Sequence, residues 1–203
     1  MGGTQSRAKH DPTDVFKRTK FSRKQRKLLS TYNLCASPMG VATFLHSTAV
    51  HTQEKQSILT AIDPLDLGSV YDNYMSSISF EHMDLDIALM DVSITVTFLL
   101  NHEGHADTYV SSFAAEYYND NKDTKFYKSP VDVYLISQGI IKLMCKVQSG
   151  EKSPRDASTW VNSMADFSSS PNDIKPVLRK IYERIQRHSG MESIASLSPR
   201  GQR

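Results

Sequence analysis

Leu85-Asp86-Ile87-Ala88-Leu89-Met90-Asp91-Val92-Ser93-Ile94-Thr95-Val96-Thr97-Phe98 is the stretch whose reading decides the fold class. Leu85, Ile87 and Leu89 alternate with Asp86 and Ala88, and Val92, Ile94, Val96 and Phe98 alternate with Ser93, Thr95 and Thr97. Period-two alternation with β-branched residues predicts one long strand or two collinear ones, closed by Asn101-His102-Glu103-Gly104. The flanking sequence changes period. Val41, Phe44, Leu45, Thr48 and Ala49 follow Ser37-Pro38, a capping residue and a proline, and predict a buried helix. A short helix is predicted from about Gln53 to Ile62, ending at Asp63-Pro64, and helical spacing returns over Ala106–Tyr118 and Pro130–Lys146, with a short strand at Thr124–Tyr127. The expected fold class is therefore α+β: a helix-rich body with few strands.

Further along, Ile174, Val177, Leu178, Ile181, Tyr182 and Ile185 form the i, i+3, i+4, i+7, i+8, i+11 series of an amphipathic helix. Its other face carries Lys175, Arg179, Lys180, Arg184 and Arg187 against Glu183. The apolar stripe is expected to dock onto the body, as such stripes usually do. The chain then divides into a flexible tail at 1–11, a folded body at 12–147, and a Ser-, Pro- and Asp-rich linker at 148–173 anchored by Trp160, Met164 and Phe167. A basic helix at 174–190 and a disordered tail at 191–203 complete it.

Charge is polarised. The net charge of +2 combines nine basic and two acidic residues in 1–27 with fifteen basic and twenty acidic in 28–203. Residues 63–91 hold Asp63, Asp66, Asp72, Glu81, Asp84, Asp86 and Asp91 with no Lys or Arg. This pattern disfavours a generic nucleic-acid binder. The N-terminal charge sits mainly on Lys17, Arg18, Lys20, Arg23, Lys24, Arg26 and Lys27, on a predicted helix that begins near Asp11-Pro12-Thr13-Asp14. Met1-Gly2-Gly3-Thr4-Gln5-Ser6 fits the N-myristoylation pattern at Gly2. One acyl chain holds a membrane only marginally, and a polybasic patch is a common second signal. The expected address is the cytoplasmic face of an anionic membrane, held peripherally, with a cytoplasmic location if Gly2 is not acylated.

Catalytic patterns are sparse. His102-Glu103-Gly104-His105 places its histidines at i and i+3, whereas the metalloprotease pair needs i and i+4 on one helix face. Cys35 and Cys145 lack a local nucleophile signature, are too few for a disulfide scaffold, and are expected to be buried thiols. The chain contains no Gly-rich phosphate loop and no Gly-x-Ser-x-Gly elbow. These patterns imply no metal, no cofactor and no enzyme activity.

Together these elements resemble the N-terminal half of a serpin over about residues 14–147. Asn33-Leu34-Cys35-Ala36-Ser37-Pro38-Met39-Gly40-Val41 resembles the family's short strand, Ser-Pro and buried helix, with Leu45 in its expected place. Phe98, Tyr109, Tyr117, Phe126 and Ile136 fall at spacings similar to those of the family's later pattern. The chain departs from it at Val50-His51-Thr52-Gln53-Glu54-Lys55, at Thr95 and at Ser137, and nothing after residue 148 matches. The resemblance implies a truncated serpin-like body that has lost the reactive-centre loop, and so no inhibition by loop insertion.

The primary expectation is thus a non-enzymatic, lipid-anchored interaction protein that presents an apolar or acidic surface to an unidentified protein partner. A protease-binding module is one alternative, with Arg155, Arg200 and Arg203 as candidate scissile residues. A viral matrix-type structural protein, capable of self-association, is the other.

Overall fold

The architecture is that of a computed structural model, which describes residues 16–92, 103–150 and 156–195. Among the described residues the helices are α1 (Arg23–Thr31), α2 (Pro38–His46), α3 (Thr52–Leu59), α4 (Leu67–Met75), α5 (Leu85–Val92), α6 (Glu103–Asp120), α7 (Pro130–Gln148), α8 (Ala157–Ala165) and α9 (Pro171–Ala195). A single 3-10 turn, Pro64–Asp66, precedes α4. These residues contain no strand, so the α+β expectation, and with it the serpin-like body, is corrected to an all-helical fold.

Residues 85–92 show why. Leu85, Ala88, Leu89 and Val92 are buried, an i, i+3, i+4, i+7 series, while Ile87 is 38% exposed. The alternation counted Ile87 as inward-facing and left out Ala88; burial reverses both, and the period becomes that of a helix. The second half of the predicted strand, 93–98, lies outside the described residues. The predicted strand at Thr124–Tyr127 is a turn whose carbonyls accept from a serine run: Ser168 Oγ donates to the Phe126 carbonyl at 2.7 Å, and Ser169 Oγ to that of Lys125 at 2.9 Å. Within the expected linker at 148–173, Ala157–Ala165 forms α8, capped by Asp156 and buried through Trp160, Val161 and Ala165. Both cysteines differ from the expected buried thiols: Cys35 is exposed and Cys145 half-buried, its thiol pushed above the ordinary range by burial.

The serpin resemblance implies a short strand at Asn33-Leu34, yet this pair terminates a helix. Asn33 adopts φ 56°, the Asn33 amide donates to Ser30 at 3.0 Å, and the Leu34 amide donates to Leu29 at 3.1 Å. This is a Schellman motif with asparagine in the left-handed position. Ser37 then caps α2, its hydroxyl accepting from the Gly40 amide at 3.1 Å, as the Ser37-Pro38 pair predicts. A side chain on Gly40 would collide with the Cys35 carbonyl, so this close turn requires glycine.

The described residues form two compact units. The first holds α1–α4 and α6 as far as Ser112. Its core contains Leu29, Phe44, Leu45, Ile58, Leu67, Tyr71 and Tyr109, with α2 packed on α4. Tyr71 hydrogen-bonds the Nδ1 of buried His105 at 3.0 Å and meets Tyr109 edge-on at 5.1 Å. The second unit holds Ser79–Val92, α6 from Phe113, and α7–α9. Phe80, Phe113 and Tyr117 cluster there, and α9 packs on α8 and α7. Ile174, Leu178, Ile181 and Ile185 are buried against that unit, so the stripe of α9 faces protein.

Candidate functional site

In the first unit the basic segment is held by a buried carboxylate. Asp66, 5% exposed, accepts the amides of Lys17 at 3.2 Å, Arg18 at 2.9 Å and Thr19 at 2.6 Å, and the Thr19 hydroxyl at 2.8 Å. The Thr19 Oγ1 accepts the Asp63 amide in turn, at 2.9 Å. Three successive amides aimed at one anion make a nest. Burial pushes the Asp66 carboxyl up, but the bonds from Thr19, Arg18 and Lys17 more than offset it and leave it below the ordinary carboxylate range. This clasp, rather than a helix, organises residues 17–19: among the described residues, 16–22 are not helical and α1 begins at Arg23.

Ser22 caps α1 in a reciprocal box, its hydroxyl accepting the Gln25 amide while the Gln25 side chain accepts the Ser22 amide. Leu29 points into the core. Arg23, Lys24, Arg26 and Lys27 remain exposed, as do Lys17, Arg18 and Lys20. Between α1 and α3 opens a cleft of about 530 Å³, with Lys24, Lys27 and Leu28 on one wall and Gln53, Glu54 and Ser57 on the other. Gln25 Nε2 ties the walls together through the Ser57 carbonyl at 3.1 Å. Glu54 is occupied, accepting the His51 amide at 3.2 Å and the Tyr32 hydroxyl at 3.4 Å. The arrangement suits electrostatic capture of anions and carries no paired nucleophile and base. Gly2, the expected lipidation site, lies outside the described residues.

The second unit holds a site that sequence reading missed. Arg184, assigned to the solvated face of α9, forks onto fully buried Asp86, with Nε to Oδ2 at 2.8 Å and Nη2 to Oδ1 at 2.7 Å. Its Nη1 reaches the Asp84 carboxylate at 2.7 Å. These bonds favour the charged guanidinium, against burial that disfavours it, and raise its pKa. The available signal was the excess of acid over 63–91, which demands partners from elsewhere. Among the described residues, four of those seven acids bond to distant segments of the chain: Asp66 in the clasp, Asp72 to the Ser112 hydroxyl at 2.6 Å, and Asp84 and Asp86 to Arg184. Glu81 and Asp91 remain exposed. Of the His102–His105 quartet, His105 is a buried partner of Tyr71. Arg155, Arg200 and Arg203 lie outside the described residues.

Comparison with known proteins identifies the architecture. A family model described as "Sec7 domain" matches residues 11–189. Among solved structures, one described as "Crystal structure of Sec7p catalytic domain" is similar to this chain with a TM-score of 0.63 at 16% identity, covering 82% of this chain and 90% of that one. No curated protein matches the chain. These findings overturn the serpin resemblance, and with it the protease-inhibitor and matrix-type readings. That resemblance rested on a Ser-Pro helix start and on aromatic spacings. The structure explains both by local causes, since Ser37-Pro38 is an ordinary N-cap, and Tyr109 and Tyr117 are core residues of a single helix.

Proposed function

The chain belongs to the Sec7 domain family, and we propose that it is a guanine-nucleotide exchange factor for small GTPases of the ARF class. The match of the family model across residues 11–189 carries this reading, and the helical likeness over most of the chain supports it. It replaces the non-enzymatic expectation with a catalytic one and gives the anticipated protein partner a chemical class.

Exchange breaks no covalent bond. A GTPase holds its nucleotide through phosphate contacts and a magnesium ion, and release is slow because those contacts must open together. A factor speeds release when it binds the nucleotide-free GTPase more tightly than the nucleotide-bound one. By linkage, nucleotide must then weaken the factor's grip by the same ratio. Such work asks for a rigid binding surface rather than a nucleophile. The well-filled cores of both units and the fork of Arg184 on Asp86 supply rigidity of this kind.

The test is release of fluorescent GDP from a purified ARF-type GTPase in excess GTP, with the full chain present in sub-stoichiometric amount. The expected outcome is release accelerated in proportion to the chain's concentration, together with a complex that forms without nucleotide and dissociates on adding GTP. Unchanged release across a panel of ARF-type GTPases would overturn the proposal.

A further inference from the structure

Lys17, Arg18, Lys20, Arg23, Lys24, Arg26 and Lys27 lie within eleven residues, all of them exposed. Among the described residues none of the seven forms an ion pair. Apart from Arg26, whose Nε donates to the Phe21 carbonyl at 3.0 Å, local stability does not account for them. Arg23 and Lys24 open α1, whose first turn contains no acid, and a helix start is where the macrodipole disfavours cations. The charges are also held in place, by the Asp66 clasp over 17–19 and the Ser22–Gln25 capping box over the start of α1.

A second observation comes from a different part of the sequence. Leu65 is 70% exposed, the most exposed large apolar side chain among the described residues. It stands between Asp63 and Asp66, both bonded to Thr19, so the clasp ties its turn directly to the basic segment. Exposed alone, a leucine needs no explanation. Fastened beside a cluster of exposed cations, it makes a surface with two chemistries, anion-seeking and apolar.

We propose that this face docks on a lipid bilayer rich in anionic headgroups, with the cations over the phosphates and Leu65 entering the boundary between headgroups and acyl chains. A membrane interface offers both chemistries within a few ångströms. A nucleic-acid backbone offers only the first, and most of this chain beyond residue 27 carries an excess of acid that phosphate repels. Charge complementarity and the neighbouring apolar residue thus select one occupant.

The experiment is co-sedimentation of the full chain with phosphatidylcholine vesicles, with and without phosphatidylserine, at low and physiological salt. Binding is expected only with phosphatidylserine and should weaken as the screening length shortens towards about 8 Å. Each cation near an anionic surface contributes roughly fivefold in affinity. The combined variant Lys20→Gln, Arg23→Gln, Lys24→Gln and Lys27→Gln should therefore bind roughly several-hundred-fold more weakly. Glutamine is a good helix former, so circular dichroism should show the fold retained. Leu65→Ser should lose roughly tenfold, with the salt dependence unchanged. The control is Lys175→Gln, Arg179→Gln and Lys180→Gln on the basic face of α9, which should bind like the unaltered chain. Equal binding to vesicles lacking phosphatidylserine would overturn the proposal, as would loss confined to the α9 variant. If the four-residue variant sediments normally but fails in nucleotide exchange without vesicles, the face belongs to a protein partner and the proposal is wrong.

Discussion

Each unit of this molecule buries a carboxylate, and the two solve the problem differently. Asp66 is surrounded by three backbone amides and a hydroxyl, with no cation on it. Asp86 receives both arms of a guanidinium. Dipoles spread the task over several donors, so the loss of any one leaves the others in place. A single counter-ion concentrates it, so the loss of Arg184 strands a buried charge. The first arrangement should therefore degrade gradually and the second abruptly.

The most severe test removes Arg184. Arg184→Ala should destabilise the chain by about 3–5 kcal/mol, because Asp86 then keeps its burial without its partner. Replacing both with apolar residues, Arg184→Met with Asp86→Leu, should recover much of that loss, as read by urea denaturation. If the single and double variants prove equally unstable, the fork is not what the burial of Asp86 depends on.

The clasp should respond less and should answer to pH. Asp66→Asn keeps the shape but weakens charge-assisted bonds, at a cost of about 1–3 kcal/mol. The Asp66 carboxyl lies below its unfolded value of about 3.9. Its contribution is thus complete above that value and is lost as pH falls through the lower folded one. The wild type should lose stability between about pH 4 and lower pH more steeply than Asp66→Asn, which parallel acid-unfolding curves will reveal. Coincident curves would mean that the clasp does not hold the carboxylate ionised.

Two milder substitutions sharpen the contrast. Thr19→Val deletes one donor to Asp66 and the acceptor for the Asp63 amide, while leaving the three amides aimed at the carboxylate. The expected loss is about 1 kcal/mol in thermal or urea unfolding, a gradual response. Asp84→Asn removes only the exposed arm of the Arg184 cluster, whose side chain is 55% accessible. That should cost less than about 1 kcal/mol, because solvent screens such pairs. A large effect there would shift the weight of the cluster from Asp86 to Asp84.

The residues made some of this legible in advance and concealed the rest. Ser37-Pro38 announces the start of α2, because a hydroxyl cap and a proline act within one turn. The stripe from Ile174 to Ile185 announces α9, because its period is long enough to be unambiguous. Leu85–Val92 is too short for that: eight residues fit both periods, depending on whether Ile87 or Ala88 is counted as inward-facing. Asn33 likewise gives no warning of its positive φ, since asparagine serves turns and caps alike. The seven exposed cations were visible as a cluster, but the carboxylate that positions two of them, Lys17 and Arg18, lies 49 and 48 residues away in sequence.

By itself, then, the sequence determined the helices whose periodicity and caps are local, and the separation of basic from acidic segments. Tertiary structure alone decided that the alternating stretch is helical, that Arg184 belongs to Asp86, and that Asp66 holds the basic segment. The reason is physical. Caps and periodicity act over a few residues and can be read in place, whereas the partner of a buried charge is chosen by which distant segments share a core.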